Sequence, residues 1–139
     1  MIKQQIVIAL MTVASCCQAC NAGTLLEASD SIPTIPPVEF AQQTVADTTA
    51  VIIDVRTPEE YAAGHIDNAT LIDVKDTENF DMTIALLPSD KTYYVYCRSG
   101  RRSMSAAEKM KKAGLNVIDM TGGIIAWEKA DLPVVKNRK

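Results

Sequence analysis

The run Cys97-Arg98-Ser99-Gly100-Arg101-Arg102-Ser103 combines residue types and spacing that can do chemistry. Thr92 to Tyr96, just before it, is aromatic and β-branched and reads as a strand. Arg101 to Ala113, just after it, reads as a helix. Cys97 is thereby expected outside the carboxyl end of a strand, where open α/β sheets bind ligands. The same loop opens a helix, whose free backbone N–H groups and positive dipole end attract an anion. Gly100 lets the loop turn tightly. Three arginines lie within five residues of Cys97 in a chain of net charge −3, and this local positive excess points to an anionic substrate. All of these features favour the thiolate, the nucleophilic form of cysteine. A cysteine at a strand end is often only a buried core residue. Here its arginine and glycine neighbours favour the nucleophile.

The elements around this loop alternate. Val38 to Ala46 reads as a short helix. Val51 to Val55 is a nearly continuous β-branched run, suited to a strand buried on both faces. Thr57-Pro58-Glu59-Glu60 carries a capping-box signature, with proline in the first turn, and Gly64 stops that helix. Leu71 to Val74 is a second strand, Glu78 to Leu87 a helix ended by Pro88, and Asn116 to Met120 a further strand. In the Arg101 helix, Met104, Ala107, Met110 and Ala113 recur every three residues and are read as its apolar face. Gly122-Gly123 turns the chain into a last helix through Trp127, a core residue by its spacing. The class is therefore α/β, with a mainly parallel central sheet of four to five strands flanked by helices. At least one of Tyr93, Tyr94 and Tyr96 must face a helix. Lys109, Lys111 and Lys112 read as a solvated helix face.

The 139 residues, 47% hydrophobic and 22% charged, make one domain with a core of its own. The negative balance argues against general nucleic-acid binding. Residues 1–22 read as a signal peptide: Lys3, an apolar run from Ile6 to Ala14 too short to span a bilayer, then small residues. Val13-Ala14-Ser15-Cys16 is similar to a bacterial lipobox, and a lipidated Cys16 would tether the protein to a membrane. Ordinary cleavage near Ala19 or Ala22 is the alternative, and either cut implies export to the periplasm. Residues 23–37, with Pro33, Pro36 and Pro37, read as a flexible tether. The folded domain is expected over 38–136, with a tail at 137–139. Cys16, Cys17 and Cys20 belong to the signal, leaving Cys97 as the single cysteine of the domain. With one histidine in the chain, no metal site is expected.

Three segments resemble signatures of the rhodanese family of single-domain sulfurtransferases, and the likeness spans nearly all of Val38 to Val135. Ile53-Asp54-Val55-Arg56-Thr57-Pro58-Glu59-Glu60-Tyr61 with Gly64-His65-Ile66 resembles its N-terminal signature. Tyr96 to Ser103 resembles its active-site loop, and Gly122-Gly123-Ile124 with Trp127 its C-terminal one. With the signal, the likeness is nearest to the small periplasmic thiosulfate sulfurtransferases.

The resemblance implies transfer of sulfane sulfur from a small anionic donor such as thiosulfate. A Cys97 persulfide would carry the sulfur to cyanide or a thiol acceptor. It makes Cys97 catalytic, and Arg98, Ser99, Gly100, Arg101, Arg102 and Ser103 substrate-binding. Arg98 and Arg101 are the candidates for the sulfonate end. Arg102 matches the arginine that ends the family loop, or else braces that loop against Asp54 or Glu60. Asp54, a buried carboxylate at a strand end, and Arg56 are supporting residues. His65 matches a structural turn. No cofactor is implied beyond the covalent sulfur, and a monomer is expected. Two other readings stand beside this one. The first is a low-turnover persulfide relay or redox-sensing module of the same fold. The second is a cysteine phosphatase, whose loop resembles this one but carries arginine six positions after cysteine, where Ser103 stands here.

Overall fold

Five short runs of extended chain form one all-parallel sheet in the computed structural model, which describes residues 30–137. The strands are β1 (Thr34–Ile35), β2 (Ala50–Asp54), β3 (Thr70–Leu71), β4 (Thr92–Tyr96) and β5 (Asn116–Met120). The helices are α1 (Pro37–Ala46), α2 (Pro58–Ala63), α3 (Thr77–Leu86), α4 (Arg101–Lys112) and α5 (Gly123–Lys129). The order across the sheet is β1-β5-β4-β2-β3, with every pair parallel. The signal-like segment with Cys16, residues 23–29 of the expected tether, and residues 138–139 lie outside the described residues.

A parallel sheet is covered on both faces, so its strands bury both sets of side chains. On one face Ile53, Val55, Tyr93, Val95 and Cys97 pack with Phe80 and Ile84 of α3 and Ala106, Ala107 and Met110 of α4. On the other, Tyr94, Tyr96 and Met120 pack with Phe40 of α1 and Ile124 and Trp127 of α5. All three tyrosines of β4 are buried. Each phenol hydroxyl finds a partner: Tyr93 donates to the Pro88 carbonyl (2.7 Å), Tyr94 to Asp47 (3.1 Å), and Tyr96 accepts from the Ile66 N–H (3.0 Å). The Trp127 indole N–H donates to Pro133 (3.0 Å).

Several expectations need correction. The 23–37 tether overlaps β1: Asp119 N–H donates to the Pro33 carbonyl and Thr121 N–H to the Ile35 carbonyl, both at 2.9 Å. Ile32 also packs on the core, so ordered packing begins before Val38. Two residues between prolines carry no period; the open edge of β5 supplies the pairing. The strand expected over Leu71 to Val74 is only Thr70–Leu71. Ile72 and Val74 still donate to the Asp54 and Val55 carbonyls, but Asp73 accepts the Lys75 N–H (2.9 Å) and bends the chain. The buried stripe of α4 is Ser103, Ala106, Ala107 and Met110, while Ala113 is exposed. A three-residue spacing drifts around a helix of 3.6 residues per turn, so the interior follows steps of three and four.

The topology creates the site. From β2 the chain moves through α2 to the β3 edge; from β4 it moves through α4 to β5, on the opposite side. The connections diverge between β2 and β4, opening a crevice outside their carboxyl ends. Asp54, Arg56 and Cys97 stand at that point.

Candidate functional site

β4 delivers Tyr96 to the sheet interior and Cys97 to the mouth of the crevice. The Cys97 side chain is 1% exposed. The chain then turns through Gly100, whose φ of 99° is left-handed, and starts α4 at Arg101 without a side-chain cap. The vacant capping position suits a loop whose N–H groups serve another acceptor. One is already engaged: Gly100 N–H donates to Cys97 Sγ at 3.1 Å.

The loop is held from below by the glycine pair that opens α5. Ile124 N–H donates to the Cys97 carbonyl (2.8 Å), and Ile125 N–H to the Arg98 carbonyl (3.2 Å). In a trans peptide N–H and C=O point in opposite directions. Fixing these two carbonyls on α5 therefore turns the next amides, of Arg98 and Ser99, away from α5. Gly122 and Gly123 have φ of 75° and 59°. A β-carbon at Gly123 would stand 2.5 Å from the Cys97 carbonyl oxygen and overlap the Arg98 carbonyl. Gly123→Ala is therefore expected to lower stability by roughly 2 kcal/mol or more, from left-handed strain and this overlap, and to disturb the Cys97 loop. A urea midpoint equal to that of the parent would contradict this close approach.

Two ion pairs brace the crevice walls. Asp54, 0% exposed, receives Arg56 through Nε (2.9 Å) and Nη2 (2.6 Å), and its Oδ1 also accepts the Arg56 backbone N–H (3.0 Å). Arg56 continues to the Gly64 carbonyl (2.7 Å), and its guanidinium lies 5.6 Å from the Tyr96 ring centre. Burial pushes the Tyr96 phenol well above its ordinary value, so the hydroxyl stays protonated. The second pair is Arg102 with Glu60, bidentate at 2.7 and 2.8 Å. These bonds hold the Glu60 carboxyl down at about 2. Glu60 also completes the expected capping box with Thr57.

The arginines therefore divide. Of the two braces considered for Arg102, the structure uses Glu60, while Asp54 takes Arg56. Arg98 and Arg101 are exposed and form no ion pair among the described residues. Arg98 borders a cleft of about 330 Å³ with Arg56, Glu60, Ala63, Gly64, Ile124, Ile125 and Glu128. A larger, more apolar cavity of about 480 Å³ lies against α1 and β2 and contains no residue of the cysteine loop. Ser99 is exposed. Ser103 is fully buried and donates to the Gly100 carbonyl (3.2 Å), so it supports the loop from within. His65 stacks on Tyr61 at 3.7 Å between ring centres, with Nδ1 2.8 Å from the Tyr61 carbonyl. Its backbone pairs with Val135, closing the domain's end. Among the described residues no group of three His, Cys, Asp or Glu could hold a metal ion.

A buried thiol whose sulfur already accepts one loop N–H, with two exposed arginines in the same loop, can hold and transfer a small polarisable atom from an anion. A family model described as a rhodanese-like domain matches residues 37–130. The chain belongs to the rhodanese-like family. A sulfurtransferase of Allochromatium vinosum is 36% identical over 99 residues, covering 70% of this chain and 90% of that protein. The probable adenylyltransferase/sulfurtransferase MoeZ of Mycobacterium tuberculosis is 40% identical over 101 residues, 72% of this chain. This chain spans only 26% of MoeZ. The crystal structure of a rhodanese-related protein from Thermoplasma volcanium superposes with a TM-score of 0.67 at 30% identity, covering 76% of this chain and 99% of that one. The rhodanese-like fold accounts for the five-stranded parallel sheet and for the cysteine at the end of its central strand.

Asp119 was missed as a site residue. It sits on β5 beneath the first turn of α4, 2% exposed. In sequence, Asp119 shares a strand face with Val117 while Asn116 lies on the other, so no polar face is marked and nothing shows that α4 covers Asp119.

Proposed function

We propose that this protein is a sulfurtransferase that takes sulfane sulfur from thiosulfate, or a similar small anionic donor. It passes that sulfur to cyanide or a thiol. The Cys97 thiolate attacks the outer sulfur of thiosulfate. The new S–S bond forms as the bond to the sulfonate sulfur breaks, and sulfite leaves with the electron pair. Cys97 then holds a persulfide whose outer sulfur lies among the loop amides, in the manner of a preorganised anion nest. An acceptor nucleophile attacks that outer sulfur. With cyanide the product is thiocyanate, and the Cys97 thiolate is restored.

The observation that carries this reading is the Gly100 N–H on Cys97 Sγ at 3.1 Å, in a loop that opens α4 without a capping side chain. The names of the relatives support the transfer class; the exposed Arg98 and Arg101 support an anionic donor. Ser103 speaks against the phosphatase alternative. It occupies the position where that loop needs arginine, is fully buried, and bonds its own backbone.

Steady-state kinetics of thiocyanate formation tests the proposal. Arg98→Ala and Arg101→Ala are each expected to raise KM for thiosulfate roughly tenfold, the loss of one charged contact of ~1.4 kcal/mol. Reaction of the preloaded persulfide with cyanide should change far less. Unchanged KM in both variants would remove the sulfonate contacts. A wild-type protein forming no thiocyanate would remove thiosulfate as the donor.

A further inference from the structure

The buried Asp119 carboxylate forms no ion pair among the described residues. Its Oδ1 has no hydrogen-bond partner among the described residues. Asp54, buried to the same degree, has Arg56. Unsatisfied buried oxygens are rare and costly. The location matters more than the cost. Asp119 pairs in register with Val95, two residues before Cys97, and with Thr34 of β1. By strand alternation its side chain shares the face that Val117, Val95, Cys97 and α4 occupy. There it faces Ser103; burial pushes its pKa up, while the Ser103 hydroxyl and the Met120 N–H pull it down by less.

Ser103 has a single hydroxyl proton. In the structure that proton goes to the Gly100 carbonyl, at 3.2 Å. Gly100 in turn holds Cys97 Sγ through its N–H. A protonated Asp119 can donate to Ser103 Oγ and leave the Ser103–Gly100 bond intact. An ionised Asp119 can only accept, so it takes the Ser103 proton away from Gly100.

We infer that Asp119 is a positioning residue whose proton sets the direction of the Ser103 hydroxyl, and through Gly100 the tightness of the loop around Cys97. The role rests on Cys97 being the reactive thiol, as proposed above. From β4 the titratable neighbour is Cys97 itself. From α4 it is Arg102, whose guanidinium is on Glu60, and β1 brings only Thr34. Burial pushes the carboxyl up to about 6, near enough to neutrality for the switch to operate.

The test measures alkylation of Cys97 by iodoacetamide in the full-length protein, followed on the Cys97 peptide by mass spectrometry from about pH 5 to about pH 8. Wild type is compared with Asp119→Asn, which stays neutral, and with Ser103→Ala. The wild-type to Asp119→Asn rate ratio is expected to change roughly threefold across a midpoint near 6, the scale of one hydrogen bond. The wild-type to Ser103→Ala ratio should change over the same range. A flat ratio for Asp119→Asn overturns the proposal. A change for Asp119→Asn with a flat ratio for Ser103→Ala overturns the route through Ser103. A purely structural Asp119 would alter thermal stability alone. Its raised pKa means that stability is lost as pH rises through about 6, so Asp119→Asn would melt higher than wild type above that pH and leave the alkylation ratio flat. The alkylation assay uses no thiosulfate, so a protein that fails to load from thiosulfate counts against the proposed donor and not against this switch.

Discussion

Cys97→Ser is expected to fold like the parent and to lose sulfur transfer, with thiocyanate formation falling by about 10³-fold or more, to the uncatalysed background. The fold should survive because the substitution changes one atom in a site that can accept it. The Gly100 N–H that now meets Sγ at 3.1 Å can donate to a serine Oγ, so the buried hydroxyl is not orphaned. Activity should not survive, because a neutral hydroxyl is a poor nucleophile here and cannot hold sulfane sulfur as a persulfide. His65, the one histidine, is engaged with Tyr61 and offers no base to activate a serine. A variant keeping a tenth of wild-type turnover would place the transferred sulfur somewhere other than Cys97.

Arg56→Leu should produce the largest loss of stability, about 3–5 kcal/mol. That is a large share of the ~5–15 kcal/mol that holds a typical domain folded. The variant leaves Asp54 fully buried with its charge uncompensated, and leaves the Gly64 carbonyl without its 2.7 Å donor. The pair also sits at the divergence of the β2 and β4 connections, so loosening it opens the crevice beside Cys97. Urea denaturation reads the effect as a lower midpoint. The double variant Asp54→Leu/Arg56→Leu should be more stable than Arg56→Leu alone, because removing both charges costs less than stranding one. A double variant that is worse than the single would show that the carboxylate's bond to the Arg56 backbone N–H (3.0 Å), rather than the ion pair, carries the stability.

Some of this architecture is legible residue by residue. Thr92 to Tyr96 and Asn116 to Met120 are strands because their β-branched and aromatic side chains must be covered on two faces, a property local enough to read from a few residues. Thr57 and Glu60 announce the start of α2 because a capping box closes within four residues. Partnerships between distant segments are less visible. β1 exists because β5 has a free edge, which no property of Thr34 or Ile35 reveals. Arg102 lies 42 residues from Glu60, and only the folded chain selects Glu60 over Asp54 as its brace. The Gly122-Gly123 pair was readable as a turn. Its service as the bed for the Cys97 and Arg98 carbonyls required the close approach of two loops. Asp119 was hidden for the same reason: a lone carboxylate in a strand reads as solvent-facing until α4 is laid over it.

The central claim is that Cys97 carries the sulfur between donor and acceptor. Intact-mass spectrometry of the full-length protein after thiosulfate, with peptide mapping before and after cyanide, tests it most directly. The predicted result is the mass of one added sulfur atom, confined to the Cys97 peptide, absent from Cys97→Ser, and lost to cyanide as thiocyanate appears. An unchanged mass would contradict the account, as would sulfur that loads equally onto Cys97→Ser.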